Sequence, residues 1–363
     1  MADHGFLSPG FARADGLDDG CFATAMVDVE LAWATATGAD AARLGRLRDA
    51  AATIDPSEIA GGLEAGGNAL IPLLAQWRRH LDDADARALH TGLTSQDVID
   101  TALILLTRTA FAAARTDLSA AAGSLDGLAR EFAQAPAAAH TLGQAAEGTT
   151  LGLRFAQWAE GLRRAADALG VAELPLAFGG AAGTARTQSA EEVARWGAEL
   201  GLTVPELPWH TSRWPVLRIG SAAGEAIAAL GKIGGDVITA SRTEIAELAE
   251  PTGGTSSAMP HKQNPVRSIL LRRSAIAAPG LTSTLSVAAG LAEDERPAGA
   301  WHAEWEAWRT LLRHLRSAAS IGAELGAGLV VDTDRAAAHS EGLTQPDRAR
   351  IAGLMDRDDN TRR

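Results

Sequence analysis

The chain has 363 residues, 46% hydrophobic and 21% charged, the balance of a globular protein with room for two or three domains and a large core. Its formal net charge of −12 argues against nucleic acid or an anionic membrane surface as the main partner. A single cysteine, Cys21, excludes an intrachain disulfide and any Cys-based zinc or iron–sulfur centre, and no run of about 18 apolar residues is present to form a membrane span.

Apolar positions at Ala25, Met26, Val29, Ala32 and Trp33 predict a helix over 22–37. A second is predicted over 98–114, with Thr94 and Asp97 spaced as a capping box before it. A third is predicted over 143–169 and a fourth over 190–200. The longest stripe follows Ile219, where Ile227, Leu230, Val237, Ile238, Ile245 and Leu248 step three, four or seven residues apart and predict about seven turns to 250. Further helices are expected after Pro265 and after Pro297, and breaks fall at 61–67, 174–183, 202–215 and 251–265. Alternating-polarity runs that would mark strands are nearly absent. The expected fold is all-α, built on long bundled helices, with a helical N-terminal domain over 1–95, a central bundle over 96–343 and a polar tail over 344–363 that frays.

Between two predicted long helices lies Gly253-Gly254-Thr255-Ser256-Ser257-Ala258-Met259-Pro260-His261-Lys262-Gln263-Asn264-Pro265. Glycines give its start freedom of φ, prolines brace its end, and Pro265 suits the first turn of the next helix. A hydroxyl, an ammonium and a carboxamide are thus gathered on one segment leading into a helix N-terminus, whose free N–H groups are expected to favour an anion. For an arbitrary serine-rich loop, a polar linker with Ser as an N-cap is the simpler reading. Two further segments carry polar side chains at helix starts: His90-Thr91-Gly92-Leu93-Thr94-Ser95-Gln96-Asp97, whose hydroxyls also read as helix caps, and His140-Thr141-Leu142-Gly143-Gln144. Trp301, Trp305 and Trp308 share one helix face and read first as a buried aromatic stripe. His302-x-Glu304 lacks the third ligand of a metal site, so no metal is expected.

Taken together, these strings change the reading. Ser256-Ser257-x-Met259-Pro260-x-Lys262-x-Asn264-Pro265 resembles the GSSxMPxKxNP signature of the fumarase/aspartase superfamily, with Thr255 where glycine is usual. The Thr94 segment is similar to the superfamily's TSxD segment and the His140 segment to its RTHxQxAxPTTxG region. The resemblance implies Ser256 as the proton-transfer group and Lys262 as stabiliser of the enolate-like carboxylate. It also implies substrate contacts from Thr94, Ser95, His90, His140, Thr141, Gln144, Ser257, Met259 and Asn264, with Trp301 and His302 as further candidates. His140 stands where an arginine is common. Leu142 stands where adenylosuccinate and argininosuccinate lyases carry a histidine, which leaves the general acid unassigned.

Gly299-Ala300-Trp301-His302-Ala303-Glu304-Trp305 is similar to the lactonising branch of the superfamily, the 3-carboxy-cis,cis-muconate cycloisomerases. The resemblance therefore implies closure of a lactone on a small tricarboxylate, with an adenylosuccinate- or argininosuccinate-type C–N lyase as the alternative and a catalytically silent helical scaffold as the reading from another class. It further implies no cofactor, a homotetramer with sites shared between subunits, and the loss of most of the usual C-terminal helical domain. Residues 1–11 lack a secretory pattern, so the cytoplasm is the expected compartment.

Overall fold

The computed structural model describes residues 5–256, 258–259 and 262–355. After a short N-terminal arm the chain forms α1 (Asp19–Ala36), α2 (Ala41–Ala51), α3 (Pro56–Gly66), α4 (Leu70–Arg79) and α5 (Asp83–Ala88). An aspartate precedes four of them for one reason: Asp18, Asp40, Asp55 and Asp82 each accept a hydrogen bond from a first-turn N–H that the helix cannot satisfy internally. Next come α6 (Ser95–Glu131), the hairpin β1 (Pro136–Thr141) and β2 (Gln144–Thr150), α7 (Leu151–Val171), α8 (Ala190–Leu200) and α9 (Trp214–Ala240). The chain ends with β3 (Leu248–Ala249), α10 (Val266–Gly290), α11 (Ala300–Gly328), β4 (Val330–Val331), α12 (Thr333–His339) and α13 (Arg348–Met355). β3 and β4 pair antiparallel in a two-residue ladder.

The bundle is α6, α7, α9, α10 and α11, with α1 packed on α6 and α8. Contacts fix its direction. Trp308 of α11 donates to Thr107 of α6 and Arg316 pairs with Asp117, so α6 and α11 run in parallel. A Cβ on Gly220 would meet Leu285 and one on Gly234 would lie 2.7 Å from the Ser268 carbonyl, so α10 runs antiparallel to α9 and their backbones close up where glycine allows it. Leu230, Leu311, Leu312 and Trp308 are sealed inside, each aliphatic side chain contributing roughly 1.5–3 kcal/mol. No helix of the described residues is long and apolar enough to cross a membrane.

The all-α bundle stands as expected, and several boundaries move. Residues 143–150 are not the start of a helix: Gln144–Thr150 is strand β2, joined to β1 by a turn at Leu142 and Gly143, both at positive φ (51° and 83°). The stripe expected to run to 250 stops at Ala240. The chain then turns through 242–246, with Ala246 at φ 49°, and Leu248 is buried as a strand residue. Glycines 61 and 62 sit inside α3, which ends only at Gly67 in the left-handed conformation. The second helix extends well beyond the 98–114 expected. Within the tail, 348–355 is helical with Ile351 buried, and Gly148 of the hairpin donates to the Thr344 carbonyl.

Candidate functional site

The start of α6 stands on buried polar groups. Thr94 and Asp97 form the capping box that their spacing predicts, and the Thr94 N–H donates to Asp97 at 2.9 Å. The Asp97 carboxylate, fully buried, also accepts from Gly180 N, Gln188 Nε2 and His210 Nε2 (2.8 Å). Every direction around it is occupied, so it orients the α6 terminus and is not a ligand. One turn on, Asp100 and Glu304 share the guanidinium of Arg213, and the Trp301 indole donates to Asp100 at 2.9 Å. Burial opposes the arginine's charge, but Asp100 and Glu304 outweigh it and hold Arg213 above its ordinary range. Burial, joined by the neighbouring Asp100 charge, pushes the Glu304 carboxyl up despite Arg213. Three charges with one net negative share a dry site, so the arginine stays charged.

That network places several candidates. Thr94 is buried, and its hydroxyl accepts from Arg296 at 2.6 Å, a cation that sequence reading passed over and that also reaches the Ala181 carbonyl. Ser95, half-buried, opens α6 beside it. His90, at φ 67°, donates from Nδ1 to the buried Glu30 carboxylate at 2.6 Å, the structural bond rather than a free ligand position. Trp301 is 3% exposed with its N–H given to Asp100, so it supports the site from beneath; this corrects its candidacy as a substrate contact. His302 is exposed and stacks at a tilt against Trp305, 4.6 Å between centroids. Glu304 faces Arg213 instead, and no group of three or more acidic, histidine or cysteine side chains among the described residues could hold a metal.

The opposite end of the bundle carries the loop between β3 and α10. Gly254 and Asn264 exchange backbone hydrogen bonds (2.7 and 3.1 Å) and close its neck. Beyond the neck the chain curls so that the Ser256 hydroxyl oxygen accepts from the N–H groups of Ala258 (3.4 Å) and Met259 (3.1 Å). Lys262 N–H donates to the Met259 carbonyl (3.0 Å), bringing Lys262 back beside the same turn. Lys262 and Met259 are exposed, and Ser256 and Asn264 are half-buried. Ser257 lies outside the described residues. Two N–H groups aimed at one oxygen are the donors an alkoxide at Ser256 needs.

One expectation fails here. The free N–H groups at the start of α10 do not await an anion, because the buried Glu250 carboxylate takes them: Oε1 accepts from Ser268 N (2.7 Å) and Ser268 Oγ (2.8 Å), and Oε2 from Arg267 N (3.1 Å). The protein supplies its own counter-charge to that helix end.

The third segment is the hairpin. His140, Thr141, Leu142 and Gln144 lie at its exposed tip, Leu142 fully so. Its base is bolted to the loop's end of the bundle: Arg154 donates to the Ala138 carbonyl and pairs with buried Glu247, which also binds His339 at 2.8 Å.

One chain therefore does not gather the three segments. α6 rises about 1.5 Å per residue. It travels ~40 Å from Ser95 to Ala121, the level at which Gly326 packs and, two residues later, Gly328 meets Pro251 at the loop. Ser256 is five residues from Pro251, a reach of at most ~17 Å. Thr94 and Ser256 of one chain are thus at least about 20 Å apart. The hairpin and the loop share one end, and the α6 start with Arg296 occupies the other.

Comparison with known proteins agrees with this architecture. A lyase family model matches residues 33–280. The chain is 38% identical to a nitrosuccinate lyase of Streptomyces davaonensis, covering 92% of this chain and 76% of that protein. It is 40% identical to a 3-carboxy-cis,cis-muconate cycloisomerase of Pseudomonas aeruginosa over 77% of this chain and 64% of that one. A crystal structure of the 3-carboxy-cis,cis-muconate lactonizing enzyme from Pseudomonas putida superposes with a TM-score of 0.85 at 30% identity, covering 95% of this chain and 84% of that one. With bundle, signature loop and family model in agreement, this chain belongs to the lyase family of the fumarase/aspartase superfamily.

Proposed function

We propose that the protein is a cofactor-independent cycloisomerase that closes 3-carboxy-cis,cis-muconate to carboxymuconolactone in the β-ketoadipate branch of aromatic degradation, as its cycloisomerase relatives are named to do. The observation that carries the chemistry is the Ser256 hydroxyl held by the N–H groups of Ala258 and Met259 on the signature loop. One substrate carboxylate oxygen adds across a conjugated double bond, forming the C–O bond, and the adjacent carbon takes a proton. Ser256 supplies it, its O–H bond breaking as the C–H bond forms, and the resulting alkoxide rests against the two N–H groups until solvent reprotonates it. Lys262 stabilises the negative charge that builds on the conjugated carboxylate. Met259 and Asn264 border that carbon, Ser257 is a further substrate contact by resemblance to the signature, and Thr94, Ser95 and Arg296 at the α6 start, with His140, Thr141 and Gln144, bind the remaining carboxylates.

Because Thr94 and Ser256 stand at least about 20 Å apart in one chain, the working site joins the α6 start of one subunit to the loop of another, in a homotetramer of the cytoplasm. The exposed apolar side chains of α10, Ile269, Ile276 and Val287, are the surface such an assembly would cover.

A second reading has an observation of its own. The nitrosuccinate lyase match spans 92% of the chain. A lyase would use Ser256 in the reverse sense, removing a proton from a carbon beside a carboxylate while a group leaves the neighbouring carbon. Three parallel assays separate the readings: ultraviolet loss of the muconate diene, nitrite release from nitrosuccinate, and cleavage of adenylosuccinate. Diene loss alone is expected. Turnover of nitrosuccinate or adenylosuccinate without diene loss would overturn the cycloisomerase assignment, and no turnover of any would favour a silent scaffold.

A further inference from the structure

The loop's neck is fastened more firmly than a mobile segment requires. On the incoming side stand Glu250 and the Thr252 carbonyl, and on the outgoing side Arg267 and Ser268. Glu250 accepts from both outgoing N–H groups and from the Ser268 hydroxyl (2.7–3.1 Å). Arg267 reaches back across the neck, donating from Nη1 to the Thr252 carbonyl at 3.1 Å, with Glu250 itself 3.9 Å from the same guanidinium nitrogen. Its Nε donates to Glu324 of α11 at 3.2 Å, and Glu324 also binds Arg13 of the N-terminal arm. Between these ties no side chain fits: a Cβ on Gly253 would strike Gln263 and one on Gly254 would strike Val266. The neck is thus locked at its base by Glu250, Arg267 and the Gly254–Asn264 hydrogen bonds.

We propose that Arg267 and Glu250 are positioning residues of the reaction, setting where the Ser256 hydroxyl stands relative to a substrate held by another subunit, and that Glu324 with Arg13 braces them. This rests on the reading of the loop as the proton-transfer element. Physically, Arg267 cannot touch the reacting carbon, since it is engaged behind the neck and two residues into the next helix. What it controls is the angle at which a short lever leaves the bundle. A displacement of about 1 Å at the tip is enough to cost up to ~100-fold in rate. Arg13 adds an unforeseen connection, because a residue of the N-terminal arm is tied through one carboxylate to the root of the loop.

The test is steady-state kinetics of Arg267→Ala, Arg267→Lys and Glu324→Gln beside Ser256→Ala, each normalised to folded protein by circular dichroism at the assay temperature. Amide hydrogen exchange of a peptide covering 252–264 is read in parallel. Arg267→Ala is expected to lower kcat roughly 10- to 100-fold with KM within about threefold. Arg267→Lys should recover most of that loss, because an ammonium still reaches the Thr252 carbonyl. Exchange should quicken in the 252–264 peptide and stay unchanged in peptides of α6 and α9, which a general loss of stability would not produce. Parental kcat in Arg267→Ala, or faster exchange spread evenly through the bundle, would overturn the proposal while Ser256→Ala stays inactive. An active Ser256→Ala would instead remove the reading of the loop on which it rests. Should Arg267→Ala not fold, Glu324→Gln decides on the same terms: a several-fold lower kcat with local loop exchange supports the proposal, and parental values overturn it.

Discussion

The two ends of the bundle are built on opposite principles. At the α6 start, Asp97, His210, Gln188, Asp100, Arg213 and Glu304 are buried and bound to one another, and the hydroxyls of Thr94 and Ser95 stand on top of them. At the loop end, Ser256 is half-buried and Lys262 exposed, and both stand at the turn around Met259 beyond the neck. The first arrangement spends buried charge on fixing a helix terminus. The second sets the reacting groups near the surface and gathers buried charge at their root, where Glu250 takes the first N–H groups of α10. Binding groups gain from a fixed position, whereas a group that must reach a substrate and then release it gains from a hinge.

Substitutions break this comparison in different ways at the two ends. The largest effect belongs to the loop: Ser256→Ala should lower kcat by about 1,000-fold or more with little change in the melting curve, since its hydroxyl bonds only N–H groups of exposed residues. Near-parental turnover would remove Ser256 from proton transfer. At the other end, Arg213→Ala leaves Asp100 and Glu304 facing each other without their cation and should cost about 3–5 kcal/mol in chemical denaturation. A loss below 1 kcal/mol would mean that water already reaches the triad.

A smaller change sharpens the division of labour. Ser95→Ala, which spares the capping box, should raise KM about tenfold while kcat and stability hold, as expected for one hydrogen bond to a carboxylate. A fall in kcat with KM unchanged would place Ser95 in the chemistry rather than in binding.

The remaining effect lies between the ends and shows only as pH falls. His314 packs edge-on against Phe11 and touches Ser274, and burial, helped by Arg273, pushes its imidazole down to about 4 from 6.5. Its neutral form is the folded one, so the stability it contributes is complete above about pH 6.5 and is lost as pH falls towards 4, by up to ~1.4 kcal/mol per pH unit. His314→Gln should therefore flatten the stability curve over that window relative to the parent. Parallel curves would show that the ring protonates freely in the folded state.

Much of this was legible in the sequence, and the failures have physical causes. Capping chemistry and 3.6-residue spacing located α1, α8 and the start of α6, because in those segments local and tertiary preferences agree. The signature loop was legible because its residue types are rare in that order. The hairpin was not, since Pro136–Thr150 is rich in alanine, which favours helix, and its strands are imposed by a turn at positive φ, by Arg154 of the following helix and by Thr344 from distant chain. The end of α9 escaped because Ile245 and Leu248 continue the apolar spacing after the backbone has turned. At the α6 end, Arg296, His210 and Arg213 were missed. Each is paired with a residue more than a hundred positions away, and no local pattern announces such a pairing.

The separation of Thr94 from Ser256 makes the central claim open to one direct measurement. Ser256→Ala and Arg296→Ala chains, each inactive alone, are unfolded together, refolded as mixed oligomers and assayed for diene loss. A site shared between subunits predicts that the mixture regains a substantial fraction of parental activity, because some sites draw an intact loop from one chain and an intact α6 start from the other. Mixed oligomers that form yet remain as inactive as either variant, or a parent that turns over as a monomer, would contradict the account.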